Sequence, residues 1–233
     1  MDTNAFSDAS WWYDWRADQA EHKRLHCKNK PHGEYIPMIK LESDVRTVVI
    51  PPEARYVLGF NEPNAPTEAN ITAERAAQLW PDVEKKAAGR KLISPSVAGC
   101  SYAPYCIKWF EKFFAACKNC RVDALAVHSY SCDADYIMGQ LKIVSEHFNK
   151  KLWLTEFACH TAKTADLQLK FLKKIQPMLE SAPFIEKYSW FQPRFYWNST
   201  FINNSVNLLK QHASTLTELG KFYNEYGRNH VVG

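Results

Sequence analysis

The chain predicts an α/β fold, a compact (β/α)8 TIM-type barrel, on three observations. Strand-length apolar runs alternate with helix-spaced segments over nearly the whole sequence. Several of these runs are almost continuously apolar, which suits parallel strands covered on both faces. The eight glycines form neither Gly-x-Gly-x-x-Gly nor Gly-x-x-x-x-Gly-Lys-Ser/Thr, the phosphate cradles that would favour an open doubly wound sheet.

In chain order the strand candidates are Trp11-Trp-Tyr-Asp-Trp15, Glu34-Tyr-Ile-Pro-Met-Ile39, Tyr56-Val-Leu-Gly-Phe60, Lys91-Leu-Ile-Ser-Pro-Ser-Val97, Val122-Asp-Ala-Leu-Ala-Val-His-Ser-Tyr130, Lys151-Leu-Trp-Leu-Thr-Glu-Phe157 and Lys187-Tyr-Ser-Trp-Phe191. These runs leave one of the eight barrel positions unfilled. The first ten residues or Arg46-Thr-Val-Val-Ile50 would have to supply it, and a short or missing first strand is expected. Among the helices, Thr72 is an N-cap candidate ahead of Glu74, and Ala76, Ala77, Leu79 and Trp80 recur on one side until Pro81 limits or kinks the segment. Ile107, Phe110, Phe113 and Phe114 form a second face. Ile137, Leu141, Val144 and Phe148 form a third, and Leu167, Phe171, Leu172 and Ile175 a fourth. No linker or tandem repeat divides residues 1–233, which read as a single domain and a monomer.

Composition narrows the function classes. A chain 46% hydrophobic and 14% aromatic buries a substantial core. The 29 basic residues are scattered among 25 acidic ones, so no stripe exists to neutralise phosphates and nucleic acid is not an expected partner. No apolar run approaches the roughly 18 residues of a membrane span, and Met1-Asp-Thr-Asn-Ala-Phe6 has neither the basic end nor the apolar stretch of a signal peptide. Of the seven cysteines, Cys100 with Cys106 and Cys117 with Cys120 are candidate disulfides. The Cys117-Lys-Asn-Cys120 spacing also suits zinc or a redox pair, but no second Cys-x-x-Cys or matched His pair completes a zinc set. No metal or organic cofactor is expected. Cys27 is the candidate for the odd thiol. Acceptor triplets at Asn70, Asn198 and Asn203 agree with a secreted protein, any secretion signal having been removed or never having existed.

Two carboxylates stand where a barrel places its chemistry, at the C-terminal ends of strands. Glu62 ends Val57-Leu-Gly-Phe-Asn-Glu62, and Pro63 cannot continue a buried ladder. Glu156 ends Leu152-Trp-Leu-Thr-Glu156. An acid closing an apolar strand is costly to bury unless it is hydrogen-bonded or used. The two lie 94 positions apart (156 − 62), near three units of about 31 residues each, which puts them on facing walls of one mouth. Paired carboxylates across a cleft are what glycoside hydrolysis requires, one as proton donor and one as nucleophile or base.

Five segments, Tyr35-Ile-Pro-Met38, Leu58-Gly-Phe-Asn-Glu-Pro63, Arg121-Val-Asp-Ala-Leu-Ala-Val-His128, Leu154-Thr-Glu-Phe-Ala-Cys159 and Tyr188-Ser-Trp-Phe191, together resemble glycoside hydrolase family 128, the alkali-sensitive-linkage-like catalytic domain. Their order and spacing agree from about Trp11 to Tyr223. The resemblance implies a (β/α)8 barrel that hydrolyses β-1,3-glucan with retention. Endo action is the expectation, with exo action left open because it depends on whether loops block one end of the cleft, and the protein is expected to be secreted or cell-wall associated. Carried over, Glu62 is the general acid/base and Glu156 the nucleophile.

Neighbouring residues acquire roles from this reading. Asn61 is expected in the cleft, on the sugar 2-hydroxyl. Glu62 needs a raised pKa and Glu156 needs donors that keep it ionised. Tyr130 is the expected donor to Glu156, with His128 the alternative or a second sugar contact. Sugar rings stack on aromatic platforms. Trp190 is expected as the floor, with Tyr13, Trp15 and Phe191, and also Trp12 and Trp197, as further candidates. The retaining mechanism predicts carboxyl groups about 5–5.5 Å apart, against roughly 6.5–9.5 Å for inversion.

The start departs from the family pattern, because only ten residues precede Trp11. The basic stretch His22–His32 reads as a solvated loop. Two rival functions stand beside the main one: a β-1,3-glucan-binding protein with little turnover, and a barrel glycosidase acting on another β-glycan.

Overall fold

The computed structural model describes residues 2–18, 32–196 and 199–229. Among them lie seven strands, each overlapping a predicted run: β1 (Trp11–Trp12), β2 (Glu34–Tyr35), β3 (Tyr56–Leu58), β4 (Lys91–Ile93), β5 (Leu125–Ser129), β6 (Leu152–Phe157) and β7 (Ile185–Trp190). Every ladder is parallel, with β1 on β2, β3 on β4, and β5, β6 and β7 side by side. Single bridges Met38↔Leu58, Ile93↔Ala124 and Val97↔Val127 connect these groups, so the strands follow one another in chain order. The fold is TIM-like α/β.

Neither segment proposed for the eighth position forms a strand. Asp2–Ala5 is a 3-10 turn, and Asp44–Thr47 is a short helix, α1. The reason is local. The Asp44 carboxylate accepts from the Leu41 N–H, and Val49 is 75% exposed, so the run lacks the two covered faces of a barrel strand.

Five longer helices cover the sheet: α2 (Ala73–Ala87), α3 (Ala103–Ala116), α4 (Ala134–Phe148), α5 (Ala165–Ser181) and α6 (Glu218–Asn229). The Thr72 hydroxyl caps α2 by accepting from the Arg75 N–H, and Asp133 and Thr164 cap α4 and α5 in the same way. Pro81 does not end α2. The proline is exposed, while Val83 and Ala87 beyond it are fully buried, and that packing carries the helix on to Ala87.

The strands curl around an interior of their own. Ile36, Met38, Leu58, Ile93, Ala124, Ala126 and Trp153 form a buried cluster to which Trp11, Tyr13, Trp15 and Tyr56 are packed. At its N-terminal end the Lys187 ammonium lies 5.3 Å from the ring centres of Tyr56 and Trp153 and 5.9 Å from that of Trp11. Burial lowers the Lys187 pKa, and the ring faces offset part of that cost. This end of the interior is thus closed by a cation among aromatic rings, and the opposite end is left for chemistry.

Candidate active site

Glu156 owes its direction to one extra residue. Pairing of β5 with β6 runs Val127↔Leu154 and then His128↔Glu156, which leaves Thr155 bulged out of the ladder. Without the bulge, period-two alternation would turn Thr155 inward after Trp153 and send Glu156 to the helix layer. With it, Glu156 faces the mouth and is 5% exposed.

Glu62 reaches the same place by a different device. Its N–H donates to Ser96 O at 2.9 Å beyond the end of β3, and its backbone sits at φ +41°. Trp15, beyond β1, sits at φ +59°. Each left-handed residue that is not glycine costs about 1–2 kcal/mol. Ala88, Asn149 and Asn70 also have positive φ, but the first two are helix C-caps, where such values are ordinary, and Asn70 is an asparagine in the loop before α2, a residue type that tolerates this region. Glu62 and Trp15 instead converge on the carboxylate pair, as strained residues at functional sites do.

The contacts are close and directional. The Trp15 indole N–H donates to Glu156 Oε1 at 2.8 Å, and the Tyr130 hydroxyl donates to Oε2 at 2.6 Å. His128, fully buried, holds Nδ1 at 2.7 Å from Glu62 Oε1 and 3.4 Å from Glu156 Oε2. An oxygen of Glu62 and one of Glu156 lie within 4.8 Å of each other, close enough for both carboxylates to reach one glycosidic bond.

Burial raises the pKa of Glu156. The His128 charge, Tyr130 and Trp15 pull it back, while the charge of Glu62 adds to the rise. Burial alone would lower the His128 pKa, but Glu156 and Glu62 outweigh it and hold the imidazole pKa up. Donors do surround Glu156 as the nucleophile role requires, yet the net shift is upward because nearly all of its solvent has been removed.

Glu62, His128 and Glu156 could offer three ligand atoms to a metal. They are already committed to one another: 2.7 Å is a hydrogen bond, shorter than the spacing of about 3.3 Å between ligands around a tetrahedral zinc. A raised imidazole pKa also favours the proton over a metal at Nδ1.

The remaining predicted residues divide into two groups. Asn61 is buried beside Glu62. Its Nδ2 donates to Glu68 Oε2 at 3.2 Å, Lys40 lies 3.4 Å from the same oxygen, and its Oδ1 has no partner among the described residues. Tyr13 spends its hydroxyl on Thr155 O at 2.9 Å. Phe191 packs edge-on against Trp15 and Tyr130. A cavity of about 310 Å³ beside Glu156 is walled by Trp11, Trp12, Tyr13, Trp15 and Phe191.

Trp190 differs from its expected role as an open platform. It is 3% exposed, packs edge-on against Phe157 and gives its indole N–H to Val206 O at 2.9 Å. Too little of the ring is open for a sugar to stack on, so Trp190 contributes an edge of the cavity wall and mainly supports the core. Trp190→Ala is therefore expected to cost about 3–5 kcal/mol of stability, measured by denaturant unfolding. Trp197 and Cys27 lie outside the described residues, as does the basic stretch apart from His32.

Sequence reasoning located the glutamates, His128 and Tyr130, but missed the bulge at Thr155, the Trp15 hydrogen bond and the Lys40–Glu68–Asn61 chain.

Two carboxylates within reach of one glycosidic bond, at the mouth of a TIM-like fold, define a glycosidase-type site. Residues 1–223 match the family described as glycosyl hydrolase catalytic core. The chain belongs to that family and, within it, to glycoside hydrolase family 128. A subgroup II endo-β-1,3-glucanase of family 128 from Sorangium cellulosum superposes with a TM-score of 0.80 at 33% identity, over 96% of this chain and 93% of the other. A subgroup I endo-β-1,3-glucanase from Amycolatopsis mediterranei, solved with laminaritriose, gives 0.74 at 26% identity over 96% and 92%. Alkali-sensitive linkage protein 1 of Schizosaccharomyces pombe is 28% identical over 179 residues, 72% of this chain. The chain spans about a third (32%) of that relative's length.

Proposed function

We propose that this chain is a retaining, endo-acting β-1,3-glucanase, with Glu156 as nucleophile and Glu62 as general acid/base. The observation that carries this is the pair itself, two glutamates with oxygens within 4.8 Å, of which Glu156 is held by two neutral donors, one on each oxygen. In the first step a Glu156 oxygen attacks the anomeric carbon while Glu62 gives its proton to the departing glycosidic oxygen. In the second, Glu62 takes a proton from water, whose oxygen displaces Glu156. His128 bridges both carboxylates, so a proton on Nδ1 screens their repulsion as charge moves between them.

Asn61 fits the role of sugar contact through its unpartnered Oδ1, an acceptor for a hydroxyl, while Glu68 fixes the orientation of the amide. Tyr13, Trp15 and Phe191 supply the apolar wall for sugar faces. The β-1,3 linkage rests on the family 128 relatives. A single catalytic domain acting as a monomer, and an eight-unit barrel with its eighth position between β7 and β1, complete the reading. Three disulfides among the described residues, Cys100–Cys106, Cys117–Cys120 and Cys132–Cys159, support folding in an oxidising compartment and hence a secreted or wall-associated enzyme. Of the acceptor asparagines, Asn70 is exposed, whereas Asn203 is tied to Ser205 and Ala162.

The test is release of reducing ends from laminarin set beside β-1,4-glucan, mixed-linkage glucan and mannan. Release from laminarin with mixed oligosaccharide lengths is expected. Binding without release, or preference for another glycan, would point to one of the rival functions.

The pKa shift predicts the pH profile. Glu156 must be ionised to attack, and its pKa is raised. The acid limb of kcat/KM is therefore expected above the ordinary carboxylate range, with activity lost as pH falls through it. A limb at or below that range would contradict the assignment.

A further inference from the structure

Cys100–Cys106 and Cys117–Cys120 each close a short local loop, whereas Cys132–Cys159 joins residues 27 positions apart. It ties the loop after β5 to the segment after β6. Its neighbours are the two partners of the shortest hydrogen bond to the nucleophile: Tyr130 lies two residues before Cys132, and Glu156 three before Cys159.

The ladder between β5 and β6 ends at Ser129↔Phe157, one residue short of Tyr130. The Tyr130 ring also packs edge-on against Phe191 and Phe201, but Phe201 is 50% exposed and makes a soft wall. The two ends of the crosslink differ. Cys159 is 5% exposed, and the fully buried Gln168 of α5 grips its backbone, accepting from its N–H at 3.2 Å and donating to its carbonyl at 2.8 Å. Cys132 is exposed. The better-buried end therefore lies just beyond the nucleophile's strand, and the exposed end on the short loop that carries Tyr130 from β5 to the Asp133 cap of α4.

We propose that the Cys132–Cys159 disulfide is a positioning crosslink: it anchors the loop carrying Tyr130 to the clamped end of β6 and so keeps the Tyr130 hydroxyl on Glu156. This rests on Glu156 being the nucleophile. Tyr130, Cys132, Cys159 and Glu156 then form one ring closed by a covalent bond on one side and a hydrogen bond on the other. Cutting the covalent side frees the loop to move, and each departure of the hydroxyl leaves a buried carboxylate oxygen of Glu156 one donor short.

Glu156 is faced by His128 from β5, Glu62 from beyond β3, Trp15 and Tyr13 from beyond β1, and Tyr130. Loss of Tyr130 alone removes a donor that lowers its pKa, so the acid limb moves to higher pH.

The experiment compares pH profiles on laminarin for the full chain, Tyr130→Phe, Cys132→Ser/Cys159→Ser, all three changes combined, and Cys117→Ser/Cys120→Ser as a crosslink removed far from the site. Tyr130→Phe is expected to lower kcat about ten- to hundredfold and to move the acid limb upward. The Cys132/Cys159 variant should shift the limb in the same direction with KM little changed, and adding Tyr130→Phe to it should cause little further loss. The Cys117/Cys120 variant should leave the limb in place. An unmoved limb in the Cys132/Cys159 variant, or losses that simply multiply with those of Tyr130→Phe, overturns the proposal. Gln168→Met keeps the disulfide but releases its clamp, and should move the limb the same way. If the cysteine variant does not fold, an unmoved limb in Gln168→Met overturns the proposal. Glu156→Ala, run alongside, separates the two levels: full activity there overturns the nucleophile assignment and this proposal with it, whereas inactivity there with an unmoved limb in the crosslink variant overturns the crosslink alone.

Discussion

Glu156→Ala is expected to lower hydrolysis of β-1,3-glucan by on the order of 10⁴- to 10⁶-fold, the scale on which removing a covalent nucleophile acts. The carboxylate is directed inward by the Thr155 bulge and held by Trp15 and Tyr130 in the position from which it attacks. The truncated site leaves a small space on the face from which Glu156 would attack. Added azide is expected to enter it and yield a glycosyl azide of configuration opposite to that of the substrate. Folding should survive the change, because the burial that raises the Glu156 pKa makes its ionised form a cost to the folded state. A variant that unfolds no sooner than the parent yet turns over nothing separates chemistry from stability, and retained turnover would remove Glu156 from the mechanism.

The second large effect is at Glu62. Replacing it with Gln removes the proton donor but leaves the nucleophile, so activity on glucan should fall by about 10²- to 10⁴-fold. The loss should depend on the leaving group. An aryl glycoside with an acidic phenol needs no protonation to depart and should retain most of its first-step rate, whereas the second step, which needs a base to activate water, stays slow. Azide supplied to Glu62→Ala, needing no base, should rescue the second step and give a product of the substrate's own configuration. Equal losses on both kinds of leaving group, or the opposite azide anomer, would show the two roles to be exchanged.

Much of this site was legible in the linear chain, and the limits are physical. Glu62 and Glu156 stand out because a charged residue closing an apolar strand violates the usual pattern, and such violations accumulate where function demands them. Tyr130 follows from its place at the end of a strand next to Glu156's. The Trp15 hydrogen bond does not follow, because it depends on a two-residue β1 and a left-handed backbone that bring an N-terminal tryptophan to a residue 141 positions away. The Thr155 bulge is equally hidden: pairing register is set by both strands together, and the sequence of one does not state it.

Trp190 shows the opposite error. An aromatic residue at a strand end suits a sugar platform and a core anchor equally well, and the packing of Phe157 with the carbonyl of Val206 decides for the core. The strand rhythm was readable in all seven runs, yet Arg46-Thr-Val-Val-Ile50 misled because β-branched composition outweighed the local capping around Asp44, which leaves Val49 exposed. The pairing of Cys132 with Cys159 lay beyond sequence reasoning for the same reason as the Trp15 bond, since it joins the ends of two strands that only the fold makes neighbours.

The most direct measurement is proton NMR of the anomeric signals during the first minutes of laminari-oligosaccharide hydrolysis, before mutarotation mixes them. A pair of glutamates this close, one attacking and one exchanging a proton, predicts the β-anomer first, with the α-anomer growing in only later. Initial release of the α-anomer would mean a single displacement by water and would contradict the division of labour between Glu62 and Glu156.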